Sequence, residues 1–278
     1  MDDYKNDKRI IDATTIENQI TTKVLGKRIR YFEEIDSTNT VAKKLGKEPD
    51  SHGILVLSNS QSAGRGRLGR NWDSPQNAGI WMSLILKPSI KINNASMLTL
   101  VAALAVNKGL RNITNLNSFI KWPNDIIING KKVCGILTEM TTTKDTLESI
   151  VVGIGINVSN ETFQDGIKDK ATSLRQEGYK EVNKLQIIDE ILICMEHYYE
   201  IFIRTENLGQ LCKEYNSSLI NIDKTVKIIE RGNEWKGTAI GINELGELLV
   251  KTDDGAEKES IRAVVSGEVS VRGIYGYV

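Results

Sequence analysis

Apolar and polar positions alternate along this chain in two rhythms, one of strand period and one of helix period. Ile29-Arg30-Tyr31-Phe32-Glu33-Glu34-Ile35 reads as a strand, and Asp36-Ser37-Thr38-Asn39 supplies capping residues for a short helix through Leu45. Residues 53–57 and 80–86 are apolar runs of strand length, the second closed off by Pro88. Residues 96–110 place Met97, Leu98, Val101, Leu104 and Ala105 on one helical face. Short strands at 119–122 and 125–128 flank a Pro-Asn turn, and Asn129-Gly130 marks a hairpin. Further strands are predicted at 132–140 and 147–158, then one long helix at 184–215.

After Asp223 the texture changes to short strands at 226–229, 235–242, 247–251, 257–262 and 269–272. Turns at Asn243-Glu244-Leu245-Gly246 and Asp253-Asp254-Gly255 separate them, which predicts a small β-barrel. The chain therefore divides into a polar stretch at 1–29, an α+β region at 30–222 and the β region at 223–278. The first stretch has weak helical patterning around 16–25 and is too short for a core of its own.

Composition narrows the function classes. Over 278 residues, 36 Lys and Arg cancel 36 Asp and Glu, so no basic excess points to nucleic acid. The longest uncharged run, 92–107, is interrupted by Asn, Ser and Thr and falls short of a membrane span. Met1-Asp2-Asp3-Tyr4-Lys5 lacks the apolar stretch of a secretory signal, so the cytoplasm is expected. Three well-separated cysteines predict no disulfide framework, and Cys134 reads as a small buried residue. Two histidines leave little room for His-based metal sites or a Ser-His-Asp triad, and no protein-bound metal cage is expected.

Four segments carry candidate chemistry. Gln61-Ser62-Ala63-Gly64-Arg65-Gly66-Arg67-Leu68-Gly69-Arg70-Asn71-Trp72 fits GxGxxG, but no helix follows, which argues against a dinucleotide fold. Its arginines and glycines suit either an anion-gripping loop or a solvated basic one. Lys121-Trp122-Pro123-Asn124-Asp125 reads as a functional turn or as a surface turn over a core tryptophan. In Gly130-Lys131-Lys132-Val133-Cys134-Gly135-Ile136-Leu137-Thr138-Glu139, Lys132 stands at the mouth of an apolar strand and Gly135 permits close ligand approach. Val152-Gly153-Ile154-Gly155-Ile156-Asn157 makes a strand with one bare face, either tightly packed or the floor of a pocket.

In this order, the segments resemble the biotin protein ligases, the biotin–[acetyl-CoA carboxylase] ligases. The final run Gly267-Glu268-Val269-Ser270-Val271-Arg272 joins the match, which extends from about residue 15 to the end. The resemblance implies a fold like the class II aminoacyl-tRNA synthetases, a mixed sheet flanked by helices, followed by an SH3-like barrel. It implies that biotin and ATP are substrates, with Mg2+, and that biotinyl-5′-AMP forms. A biotin carboxyl carrier domain would then accept biotin on a lysine.

Carried over by position, Lys132 matches the essential lysine between carboxylate and phosphate, and Asp125 the acid beside it. Arg65, Gly66 and Arg67 belong to the loop that closes over biotin and the adenylate, with Trp72 as its brace. Ser37, Thr38, Asn39, Gln61, Gly64, Gly135, Gly153 and Gly155 match the biotin pocket. Asn157 matches the adenine or ribose side, and Glu268 and Arg272 the barrel positions facing the reaction. Leu68 stands where some members carry another Arg, and residues 160–171 match poorly where an adenine lid is expected. About 30 residues precede the catalytic region, without a helix-turn-helix pattern, so a monofunctional type that binds no nucleic acid is expected. Monomer and homodimer both remain open. The competing readings are a lipoate–protein ligase and a non-catalytic biotin sensor.

Overall fold

The computed structural model describes residues 13–144, 146–230, 233–252, 260–266 and 269–273. Helix α1 (Ala13–Gln19) leads into strand β1 (Arg28–Ile35), helix α2 (Thr38–Leu45) and strands β2 (Ile54–Gln61) and β3 (Gly79–Leu86). Helix α3 (Leu98–Thr114) precedes β4 (Ser118–Lys121), β5 (Asp125–Ile128), β6 (Lys131–Thr143) and β7 (Thr146–Asn157). These strands form one mixed sheet in the order β1-β2-β3-β7-β6-β5-β4, parallel between β1 and β2 and antiparallel elsewhere.

Side-chain alternation assigns the two faces of this sheet. Ile54, Val56, Ile85 and Val151 point to α2 and pack on Ala42, Val41 and Leu45. Leu55, Leu57, Leu84, Val152, Ile154 and Ile156 point the other way, into the main core beneath α3. Helix α3 is buried almost all round because helix α4 (Lys184–Thr205) covers its outer side. The two helices touch at Gly109, where a Cβ would come within 2.9 Å of Ile191. Truncating a fully buried α3 side chain such as Leu104 to Ala should cost about 2–5 kcal/mol.

The long helix predicted at 184–215 is two helices. It stops at Glu206, which is left-handed at φ +50, and resumes as α5 (Cys212–Ser218). Local side chains satisfy the backbone at the break: Asn207 Nδ2 donates to the Thr205 carbonyl and Asn207 Oδ1 accepts from the Gly209 N–H. Helical periodicity continues across the gap and hides it.

Ile16, Ile20 and Leu25 are buried in the main core. The carboxylate of Glu196 on α4 accepts from the N–H groups of Lys23, Val24 and Leu25, and Asp189 holds both the N–H and the hydroxyl of Thr21.

Strands β8 (Thr225–Glu230), β9 (Asn233–Ile242), β10 (Leu248–Thr252), β11 (Ser260–Val264) and β12 (Val269–Gly273) form an antiparallel sheet in the order β11-β10-β9-β8-β12. The Asn243–Gly246 turn is present, with Asn243 Oδ1 accepting from Leu245 and Glu247 N–H and Gly246 at φ +76. The turn predicted at 253–255 and residues 257–259 of the fourth predicted strand lie outside the described residues. Trp122 joins the two sheets: its ring is buried and its Nε1–H donates to the Gly246 carbonyl. Among the described residues no helix is long and apolar enough to cross a membrane.

Candidate active site

An open cleft of about 440 Å³ lies on the α2 face of the large sheet. Ser37, Thr38, Asn39, Gln61, Arg65, Gly66, Arg67, Trp72, Lys132, Gly135, Gly153 and Gly155 all line it. Stretches more than a hundred residues apart thus meet in one place.

The floor is the bare patch read from the alternating glycines. Gly135 and Gly155 face each other across β6 and β7, and the Trp72 ring lies over both. A Cβ on Gly155 would approach Trp72 Nε1 to 2.5 Å, and one on Gly153 would overlap Asn39 Oδ1. The bare face is therefore both tightly packed and a pocket floor. Trp72 enters the site itself instead of bracing the loop from outside. Its Nε1–H is buried without a hydrogen-bond partner, and Lys132 Nζ stands 5.0 Å from the ring centroid.

Lys132 reaches this face through a bulge. Cys134 and Ile136 point into the core, so strict alternation would send Lys132 there as well. Instead Ile126 pairs with Cys134 and Ile127 with Lys132, leaving Val133 unpaired. The extra residue turns Lys132 toward Gly135, where its Nζ ion-pairs with Asp125 Oδ1 at 2.6 Å. The Lys132 backbone is fixed from its other side by Lys170 and Thr172, so segment 159–183 abuts the lysine.

Residues 61–74 form a ribbon closed by the Gln61–Ser74 and Arg65–Asn71 bridges, with a single helical turn at Arg67–Gly69. Arg67 crosses the cleft and donates to Asn124 Oδ1 at 2.9 Å. Burial lowers its guanidinium below the ordinary value; Asp125 opposes that shift and Arg70 adds to it. At the other end, Thr38 donates its N–H to Gln61 Oε1 at 2.8 Å, and Gln61 Nε2 donates to Ser74. The cleft thus combines cations, Arg65, Arg67 and Lys132, with the neutral polar groups of Ser37, Thr38 and Gln61.

Among the described residues, three expected ones do not line this wall: Gly64, Asn157 and Asp125, which meets it through its ion pair with Lys132. Gly64 lies under the ribbon against the Trp72 carbonyl. Asn157 is buried and donates to the Thr172 carbonyl, tying down segment 159–183. Glu268 and the side chain of Arg272 lie outside the described residues. The wall also contains Asn124, which sequence reading left without a role although it sits in the quoted turn. Ser83 and Glu139 support the wall from behind through Asn39; Glu139 ends the quoted Lys132 segment, whereas Ser83 carried no local sequence signal. Cys134 is fully buried, and burial pushes its thiol far above the ordinary range. Lys121 is buried too, not a surface residue.

Residues 31–157 match the Biotin/lipoate A/B protein ligase family, and residues 222–272 match the Biotin protein ligase C terminal domain. The bifunctional ligase/repressor BirA of Bacillus spizizenii is 39% identical over 250 residues, 89% of this chain and 77% of that protein. The chain belongs to the biotin protein ligase family. A biotin–[acetyl-CoA-carboxylase] ligase of Mycobacterium tuberculosis is 26% identical, over 86% of this chain and 90% of that protein. The solved biotin protein ligase of Aquifex aeolicus, in complex with biotin and ATP, superposes with a TM-score of 0.77. It is 30% identical and the match covers 89% of this chain and 99% of that one. The ribbon, the Lys132 strand and the glycine floor all lie within the span matched by the ligase family.

Proposed function

We propose that this chain is an ATP-dependent biotin protein ligase. It activates biotin as biotinyl-5′-AMP and transfers biotin to a lysine of a biotin carboxyl carrier protein. The observation that carries this is one cleft lined by three cations, Arg65, Arg67 and Lys132, together with the neutral polar groups of Ser37, Thr38 and Gln61.

In the first step a biotin carboxylate oxygen bonds to the α-phosphorus and the bond to pyrophosphate breaks. Two anions must meet, so cations at the cleft offset their repulsion and the charge that develops at phosphorus. Lys132 is the proposed bridge between carboxylate and phosphate, with Arg65 and Arg67 on the outer oxygens. The ureido ring occupies the Ser37–Thr38–Gln61 end, where hydroxyl and amide groups match its N–H and C=O groups. In the second step the carrier amine, having lost a proton, bonds to the carbonyl carbon and AMP leaves with the bonding pair. Asp125 beside Lys132 is the proposed group that orients the incoming amine.

Mg2+ would shield the triphosphate charge. Among the described residues no three His, Cys, Asp or Glu side chains are grouped to hold a metal, and Asp125 is engaged by Lys132. This suits an ion that arrives with the nucleotide and keeps several waters. In this reading residues 30–222 are the catalytic domain, and 223–278 an SH3-like barrel contributing Glu268 and Arg272.

The test is transfer of labelled biotin to a carrier-domain fragment, with and without MgATP, in wild type and Lys132→Ala. ATP-dependent labelling lost in the variant supports the reading. Labelling that survives removes Lys132 from its role. Tight biotin binding without labelling by the wild type assigns the chain to biotin sensing.

A further inference from the structure

The turn Trp122-Pro123-Asn124 leads into the two contacts that hold cations at the cleft. Asn124 Oδ1 accepts from Arg67 at 2.9 Å, and Asp125, the first residue of β5, ion-pairs with Lys132 at 2.6 Å. Strand β6 holds the turn from one side: Asn124 Nδ2 donates to the Ile136 carbonyl, and the Ile136 N–H donates to the Asn124 carbonyl. Held by β6 alone, the turn could pivot about that strand. The second support comes from the outer edge of β4, the last strand of the large sheet.

Leu219 bridges to Ile120 in parallel along that edge, and the Ile220 N–H donates to the Ile120 carbonyl. Backbone groups of alternate residues face the same side of a strand, so the next outward donor after Ile120 is the Trp122 N–H. There the chain is already leaving for the small sheet: Asp223 is left-handed at φ +56 and its N–H donates to the Ala239 carbonyl of β9. The Asn221 side chain fills the gap. Its Oδ1 accepts from the Trp122 N–H at 3.2 Å, and Asn221 is only 1% exposed. A backbone N–H only donates, so it fixes which side of the Asn221 amide faces it. The small sheet grips Trp122 a second time, through the indole N–H to the Gly246 carbonyl.

We propose that Asn221 is a positioning residue for the ribbon: by holding the Trp122 N–H it sets Asn124 where Arg67 reaches it, and so governs how long the adenylate is retained. The small sheet then acts on the cleft through this turn, independently of any side chain it places there. The inference rests on the ligase reading, which takes biotinyl-5′-AMP as the molecule beneath the ribbon.

The experiment measures release of bound biotinyl-5′-AMP from the full chain by stopped flow, beside equilibrium binding of biotin. Asn221→Ala leaves the buried Trp122 N–H without its acceptor, and the turn must shift to regain one. Release should quicken about tenfold, with biotin affinity within about threefold, because Thr38 and Gln61 belong to α2 and β2 and not to this turn. Asn221→Asp keeps an acceptor in place and should release within about threefold of the wild type. Asn221→Ser, whose hydroxyl can accept through a water, takes the place of the alanine variant if that chain does not fold.

The deciding arm combines the Asn221 variant with Asn124→Ala. If Asn221 acts through the anchor, the double variant should release adenylate no more than about twofold faster than Asn124→Ala alone. Effects that multiply would place the action of Asn221 elsewhere and overturn the proposal. So would a loss of biotin affinity equal to the change in release, the mark of a merely structural residue, or release as fast from Asn221→Asp as from Asn221→Ala. Unchanged release from the Asn221 variants overturns it too, while leaving the ligase reading in place. A wild type that binds no adenylate ends the ligase reading itself.

Discussion

The Lys132 ammonium lies 2.6 Å from Asp125 Oδ1, and that contact exists because β6 carries one residue more than β5. The unpaired Val133 moves Lys132 from the core face to the cleft face. A cation held by one carboxylate and one aromatic face keeps its charge available while its position is fixed.

Removing that cation should stop chemistry more than binding. Lys132→Ala is expected to lower adenylate formation by about 10³-fold or more, with biotin affinity changed by less than about tenfold. Pyrophosphate exchange set against equilibrium binding separates the two. Equal losses in both would show that Lys132 holds the substrate and not the transition state.

The glycine floor predicts a steric effect with no chemical change. Gly155→Ala drives a methyl into Trp72, and Gly153→Ala drives one into Asn39. Each should lower the stability of the fold by about 1–3 kcal/mol and weaken biotin binding. Calorimetric binding and thermal melting of the two variants check this, and unaltered affinity in both would mean the floor does not touch biotin.

Arg67 anchors the ribbon across the cleft through Asn124. Arg67→Lys keeps the charge but loses the planar fork, so the ribbon should release bound adenylate faster, by about tenfold. Asn124→Ala should do the same without changing any charge. Stopped-flow release from both variants is the measurement, and a slow Asn124→Ala would detach the anchor from retention.

Glu196 gives a pH prediction. Burial acts to raise its carboxyl, but the N–H groups of Lys23, Leu25 and Val24 hold it below its ordinary 4.5. A depressed carboxyl stabilises the fold fully above that ordinary value, and the stabilisation fades as pH falls through the lower folded value. Hydrogen exchange at residues 23–25 should therefore accelerate only below about pH 4.5. Glu196→Gln should cost about 2 kcal/mol near neutral pH and flatten the acid limb. An unchanged acid limb would assign the loss to other carboxylates.

Cys134 is expected to be inert. It is fully buried with a raised thiol, so a thiol reagent should modify it only after unfolding, and Cys134→Ser should leave biotin transfer unchanged.

Period and punctuation in the sequence were enough to place most elements. Alternating and apolar runs of strand length located β1, β3 and β7, and turn chemistry the Asn129-Gly130 hairpin, because period and turn chemistry are local properties. The glycine-arginine loop and the Lys132 strand were legible as chemistry because anion binding requires cations beside a yielding backbone. The helix break at Glu206 was not legible, since apolar spacing continues on both sides of it. Neither was the position of Lys132: alternation alone points it into the core, and only pairing with β5 shows that Val133 is the extra residue. Asn124, Ser83 and Glu139 acquire roles solely through partners at least twelve residues away. Residue type and local spacing are fixed by the sequence. Strand register and the partners of buried polar side chains are decided only when distant segments are packed together.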